Sequence, residues 1–167
     1  TSQGLGSMEL VLDSLDSYSP ITRNWKVQPP MLRARYSPAL VTIGTMLYSC
    51  GGFDGNAAMS SAECFDTTKS EWKQMPPMFN ARSGPVGAAL PGGRFLIAGG
   101  HSGTSGLSSA ECWSPSAGHW EELPPMMAIR VGAAVSAIDG HVYVAGGNNN
   151  KAALKTMERF NPWTRRW

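Results

Sequence analysis

One set of residues recurs along this chain at a fixed step of 47 or 48 positions, and that period constrains the fold more than any other feature. Pro-Pro-Met stands at Pro29-Pro30-Met31, Pro76-Pro77-Met78 and Pro124-Pro125-Met126. An arginine follows at Arg35, Arg82 and Arg130, then a glycine pair at Gly51-Gly52, Gly99-Gly100 and Gly146-Gly147. An acid recurs at Asp16, Glu63, Glu111 and Glu158, an aromatic at Tyr18, Phe65, Trp113 and Phe160, and a tryptophan at Trp25, Trp72, Trp120 and Trp167. A long fixed period means a repeat architecture, in which one supersecondary unit is stacked on copies of itself.

The units divide the chain at 1–28, 29–75, 76–123 and 124–167. The first is the back half of a unit: it has the acid, the aromatic and the tryptophan but lacks Pro-Pro-Met and the arginine. Gly4 falls at the first position of its glycine pair, with Leu5 at the second. The last ends on its closing Trp167. Within a complete unit, Ser37–Ile43 and Met46–Cys50 read as strands around a Gly44-Thr45 turn. Ser60–Phe65 and Glu71–Gln74 read as a third and a short fourth. Gly92-Gly93 and Asp139-Gly140 occupy the same turn in later units and suit the positive φ of a two-residue hairpin. No helical period competes. The class is all-β, with four short antiparallel strands per unit.

Phe95-Leu96-Ile97-Ala98 and Val142-Tyr143-Val144-Ala145 show no apolar–polar alternation, so neither face of the sheet is meant for water. The first strands are rich in small residues (Gly84–Ala89, Gly132–Ala137), which suits crowding near an axis. Radial repetition of blades around a channel, a β-propeller, meets both demands. A WD40 array has a shorter period of about 40–45 residues, and its Trp-Asp ending is missing here: Lys26, Lys73 and Glu121 follow the tryptophans.

With the glycine doublet, the spaced aromatic and the closing tryptophan, the chain resembles Kelch-repeat propellers. Ala81–Gly87 (ARSGPVG) and Ile129–Gly147 (IRVGAAVSAIDGHVYVAGG) look most like the propellers of BTB–Kelch proteins. Those are substrate-recruiting adaptors of cullin-RING ubiquitin ligases. The resemblance implies a Kelch propeller fragment of about three and a half four-stranded blades, where that family has six. The rest of the ring is expected from a longer chain or a second copy.

Charge and cysteine content narrow the function further. Fourteen basic and twelve acidic residues give a net charge of only +2, so no general basic field for nucleic acid exists. Cys50, Cys64 and Cys112 form no C-x-x-C pair and read as small buried residues in a reducing compartment. No apolar run approaches a membrane span, and residues 1–25 lack a signal-peptide layout. A cytoplasmic protein without nucleic-acid or membrane partners is expected.

No catalytic, cofactor or metal site is expected either. The Gly99–Gly106 loop lacks the Gly-Lys-Ser/Thr ending of a phosphate cradle. His101, His119 and His141 fall at three different repeat positions without thiolate partners. A propeller oxidase of the copper-radical type would need a compact Tyr, His and Cys set, and Tyr18, Tyr36, Tyr48 and Tyr143 are scattered over the repeat.

A protein partner remains. By the resemblance, Arg35, Arg82 and Arg130 would face the central pocket as an arc of guanidinium groups favouring an acidic peptide. The opposing expectation pairs each arginine with a repeated acid as a structural lock. The residues after each glycine pair differ among units: Phe53-Asp54, His101-Ser102 and Asn148-Asn149. Variable loops on a constant scaffold are where specific recognition is expected, and in Kelch adaptors these loops contact substrate. An actin-associated Kelch scaffold is the alternative role.

Overall fold

A computed structural model describes residues 11–167; the Gly4 and Leu5 positions lie outside the described residues. Thirteen short strands and no helix occur among the described residues. β1 (Leu15–Ser19) and β2 (Asn24–Gln28) form a two-stranded half-blade. β3 (Ala39–Ile43), β4 (Met46–Cys50), β5 (Ala62–Asp66) and β6 (Glu71–Met75) form the first complete blade, each strand antiparallel to the next. β7 (Val86–Leu90), β8 (Arg94–Ala98), β9 (Ala110–Ser114) and β10 (His119–Leu123) form the second. β11 (Ala134–Ile138), β12 (His141–Ala145) and β13 (Met157–Phe160) form a three-stranded third.

The inner strands start later than the sequence pattern suggests. Ser37 holds φ 47° and its carbonyl accepts a hydrogen bond from Gly84 N–H at 3.1 Å, so β3 begins only after Pro38. The hairpins follow their turn residues. Both central residues have positive φ at Gly92-Gly93 and at Asp139-Gly140, whereas Gly44 alone does so in the first blade, the pattern of a II′ turn.

The blades are joined by two apolar cores. Between the first and second blades, Ala39, Val41, Tyr48, Cys50, Ala62 and Met75 meet Phe95, Ile97, Trp113 and Trp120. Between the second and third, Val86, Leu96, Ala98, Cys112 and Leu123 meet Val142, Val144 and Phe160. Each sheet is therefore apolar on both faces because each face serves a different neighbour. Burial of this kind contributes roughly 25 cal/mol per Å² of apolar area.

β3, β7 and β11 lie side by side at the narrow end of the wedge and line a cleft of about 210 Å³ on the axis. Crowding there is real: a Cβ on Gly87 would lie 2.6 Å from a Val41 methyl. A side chain at that position would force the two inner strands apart.

At the outer rim each tryptophan reaches back to the blade before it. Trp72, Trp120 and Trp167 donate their indole N–H to the carbonyls of Pro29, Pro76 and Pro124 at 2.9, 2.9 and 2.7 Å. The first proline of each Pro-Pro pair is thus the acceptor for the next tryptophan. The ring of described blades is incomplete. Trp25 at one end stands exposed where Trp120 is buried, and Ile138 and Met157 at the other stand exposed where Leu90 and Ala110 are buried.

Candidate functional site

The long connections, residues 51–61 and 76–85 and their equivalents, emerge at one end of the blades, and the tight hairpin turns at the other. The arginines stand on the loops that enter the inner strands, just before β3, β7 and β11. Their side chains do not form an inward arc. Arg35, Arg82 and Arg130 are almost completely buried, and each is paired with the acid of its own blade: Arg35 with Glu63, Arg82 with Glu111 at 2.8 Å, Arg130 with Glu158 at 3.1 Å.

The same set of bonds surrounds each pair. Nη1 of Arg82 donates to the carbonyls of Gly99 (2.8 Å) and Ser109 (2.9 Å), and Nη2 to Ser109 Oγ (2.9 Å). Arg130 repeats this on Gly146, Thr156 and the Thr156 hydroxyl. Arg35 repeats it on Gly51 and Ser61, although its Nε finds no acceptor. The carboxylates also accept backbone N–H groups of the entering loop, from Leu32, Phe79 and Met127 at 2.6–2.7 Å. Burial pushes the Arg82 guanidinium down from its ordinary value, and Glu111 opposes the shift.

The expectation of an anion-binding arginine arc is therefore corrected. Every guanidinium is spent on tying the entering loop to the glycine doublet and the third strand. The sequence left the pairing as one of two expectations because each acid follows its arginine by 28 or 29 residues, and only the return of the third strand brings the two together.

The doublets complete the joint between blades. Gly52 N–H donates to the Arg82 carbonyl at 2.7 Å, and Gly100 N–H to the Arg130 carbonyl at 2.9 Å. A Cβ on Gly51 would sit 2.5 Å from that Arg82 oxygen, and one on Gly99 2.3 Å from that of Arg130. Close backbone approach, together with positive φ, is why only glycine serves here.

The loop residues chosen from the sequence come together on the loop face, in two distinct roles. Phe53, His101 and Asn148 each exchange two backbone hydrogen bonds with the residue after the arginine: Tyr36, Ser83 and Val131 respectively. Asp54, Ser102 and Asn149 instead turn their side-chain oxygens back onto their own loops. Asp54 Oδ1 accepts from Asn56 and Ala57 N–H, Ser102 Oγ from Thr104 and Ser105, and Asn149 Oδ1 from Lys151 and Ala152. Those bonds hold the Asp54 carboxyl below its usual range. These three shape the turns.

Between the loops of the first two complete blades lies a pocket of about 290 Å³, lined by Tyr36, Phe53, Ala58, Ser83, His101 and Gly103. Its walls carry aromatic rings, a neutral hydroxyl and an imidazole, with no Asp, Glu, Lys or Arg. His101 Nδ1 accepts the Gly103 N–H at 3.0 Å, which leaves Nε2 as the protonated nitrogen and a donor. Tyr36 was missed in the sequence. The clue was its place directly after Arg35, where the other units carry Ser83 and Val131.

Comparison with known families matches the Kelch motif at residues 34–79, 82–127 and 129–167, which is most of the chain. The chain belongs to the Kelch-repeat family. The three matched Kelch motifs fall on the three blades whose arginine, glycine doublet, acid and tryptophan form the locks described above. Kelch repeats are generally protein-interaction modules, and the described chain is a partial Kelch propeller of all-β architecture. Among the described residues, no three His, Cys, Asp or Glu side chains gather as metal ligands would.

Proposed function

We propose that this Kelch propeller captures a loop or peptide of a protein partner on the face that carries Phe53, His101 and Asn148. The observation that carries the reading is the uncharged, aromatic-lined pocket between the loops of the first two complete blades. Concave, mostly apolar sites with a few fixed polar groups are where proteins take specific ligands. Variable loops over a constant frame let such a surface differ among relatives that share one fold.

The resemblance of Ala81–Gly87 and Ile129–Gly147 to BTB–Kelch propellers supports a more specific role. The chain then serves as the substrate-recruiting part of a cullin-RING ubiquitin-ligase adaptor in the cytoplasm. An acidic peptide is no longer the favoured ligand, since the three arginines that would have attracted it are already paired with Glu63, Glu111 and Glu158.

The test compares loop-face and turn-face variants. A partner isolated with the unaltered protein should lose most of its affinity for Phe53→Ala and for His101→Ala, and should bind Thr68→Ala on the opposite face normally. In cells, ubiquitylation of that partner should fall with the same two loop variants. Binding that is indifferent to both loop substitutions would place the partner elsewhere and overturn the reading.

A further inference from the structure

The two grooves between successive loops are not alike, and the difference traces to one repeat position. The third residue after the doublet is Gly55, Gly103 and Asn150 in the three complete units, with φ 94°, 102° and 72°. In the third blade the Asn150 side chain lies across the groove onto Gly106 of the second blade. A Cβ on Gly106 would meet Asn150 Nδ2 and Oδ1 at 2.8 Å, and an Ile129 methyl at 2.5 Å. That groove is filled by the protein's own side chains. In the groove between the first and second blades, Gly103 stands where Asn150 does and Ala81 where Ile129 does. A Cβ on Gly103 would meet nothing within 4 Å.

We infer that Gly103 is the residue that keeps the first groove open, and that the groove takes one uncharged apolar side chain of a partner, held beside a main-chain carbonyl. The inference rests on the interaction role proposed above and specifies what the partner presents. The volume of about 290 Å³ suits a single leucine-, methionine- or phenylalanine-sized group rather than a folded element. The walls supply rings at Tyr36 and Phe53 for apolar contact. They supply no counter-charge, so burying an acidic or basic group there would cost several kcal/mol of desolvation without compensation. The His101 Nε2–H, the Tyr36 hydroxyl and the Ser83 hydroxyl are donors that suit a peptide carbonyl.

The same geometry says what closes the groove. Asn is among the few residues that accept positive φ at little strain, and Asn150 already does so at this position. Gly103→Asn should therefore still fold, with φ drawn from 102° toward the 72° of Asn150 at some strain, and fill the groove. Asn150→Gly should clear the second groove of the carboxamide, with Ile129 still beneath it.

The experiment titrates the full chain, isotopically labelled, with N-acetyl-leucinamide, N-acetyl-phenylalaninamide and N-acetyl-aspartamide, and follows amide shifts by NMR. The two apolar probes should move Gly103, His101 and Tyr36, and the acidic probe should bind at least about tenfold more weakly. Gly103→Asn should abolish the response while the protein stays folded, as its dispersed amide spectrum shows. Asn150→Gly should add a second responding set at Gly106, Val131 and Asn148. Tighter binding of the acidic probe, or an undiminished response in a folded Gly103→Asn, would overturn the inference. If a protein partner still requires Phe53 and His101 while Gly103→Asn binds it normally, the interaction role stands and the anchor-pocket inference falls.

Discussion

The half-blade at the start of the chain and the second complete blade carry the same framework residues with opposite fates. Trp25 is 72% exposed and Trp120 is 5%; Tyr18 is 48% exposed and Trp113 is 6%. Both pairs keep the same ring contact, with centroids 5.2 Å apart in each. The local hairpin is therefore intact in the half-blade, and among the described residues no blade covers the face that carries these rings. Asp16 likewise sits exposed at the repeated acid's position, whereas Glu111 is buried and sealed against Arg82. The difference shows that a repeat marker has a structural value only where its neighbour exists. Stability here lives in interfaces and intra-blade locks more than in single strands.

That contrast can be broken experimentally, and the locks should show it most. Glu111→Ala leaves the Arg82 guanidinium buried without its counter-charge and strips the Phe79 and Asn80 N–H groups of their acceptor. A loss of about 3–5 kcal/mol is expected, as for other broken buried ion pairs. Asp16→Ala should leave the unfolding curve essentially where it was. Equal shifts of the denaturation midpoint for the two variants would show that the acid is not the lock.

A smaller effect is expected from the rim. Trp120→Phe keeps a ring in the core between the first two complete blades but removes the donor to the Pro76 carbonyl. The loss should be about 1–2 kcal/mol, the cost of a buried acceptor left without its partner. Trp25→Phe should be silent, because Trp25 stands 72% exposed in the described structure. Matching losses at the two positions, read from chemical denaturation, would contradict the inter-blade assignment.

The smallest expected difference is chemical. Cys64 and Cys112 occupy one repeat position, but Cys64 is half-buried and Cys112 fully so. Burial raises both thiols above their ordinary range, Cys112 to about 11. Since the thiolate is the reactive form, an aromatic disulfide reagent at mildly alkaline pH should modify Cys64 slowly and Cys112 only on unfolding. Equal rates in the native protein would mean that the interface between the second and third blades opens as readily as that between the first and second, against which Cys64 packs.

Much of the fold was legible in the sequence, for a physical reason. A propeller needs the same answer at every blade, so the doublet that must approach a neighbour's backbone and the tryptophan that must reach it recur as identical letters. The Arg–Glu locks were legible as residues, and their pairing only as one of two opposed expectations. Their bonds join positions that are distant along the chain and adjacent only after the third strand returns. The loop face divides the same way. Phe53 and His101 could be chosen because they vary where the frame does not. Asp54, Ser102 and Asn149 vary too, yet all three can cap a turn with a side-chain oxygen, so their variation is chemical synonymy rather than specificity. Gly103 escaped notice because what matters there is the absence of a side chain that only the neighbouring loop of Asn150 makes visible.

The backward reach of the tryptophans bears on how the chain is made. Each indole N–H closes on a proline carbonyl 43 or 44 residues earlier. On a ribosome, the acceptor has therefore already emerged when its latch appears, and no bond of this kind waits for sequence still to be translated. A blade is released from synthesis with its clasp as its final outer-strand element, ready to snap onto the sheet before it. Assembly can proceed in the order of synthesis, one wedge at a time, each new blade covering the face that the previous one left bare.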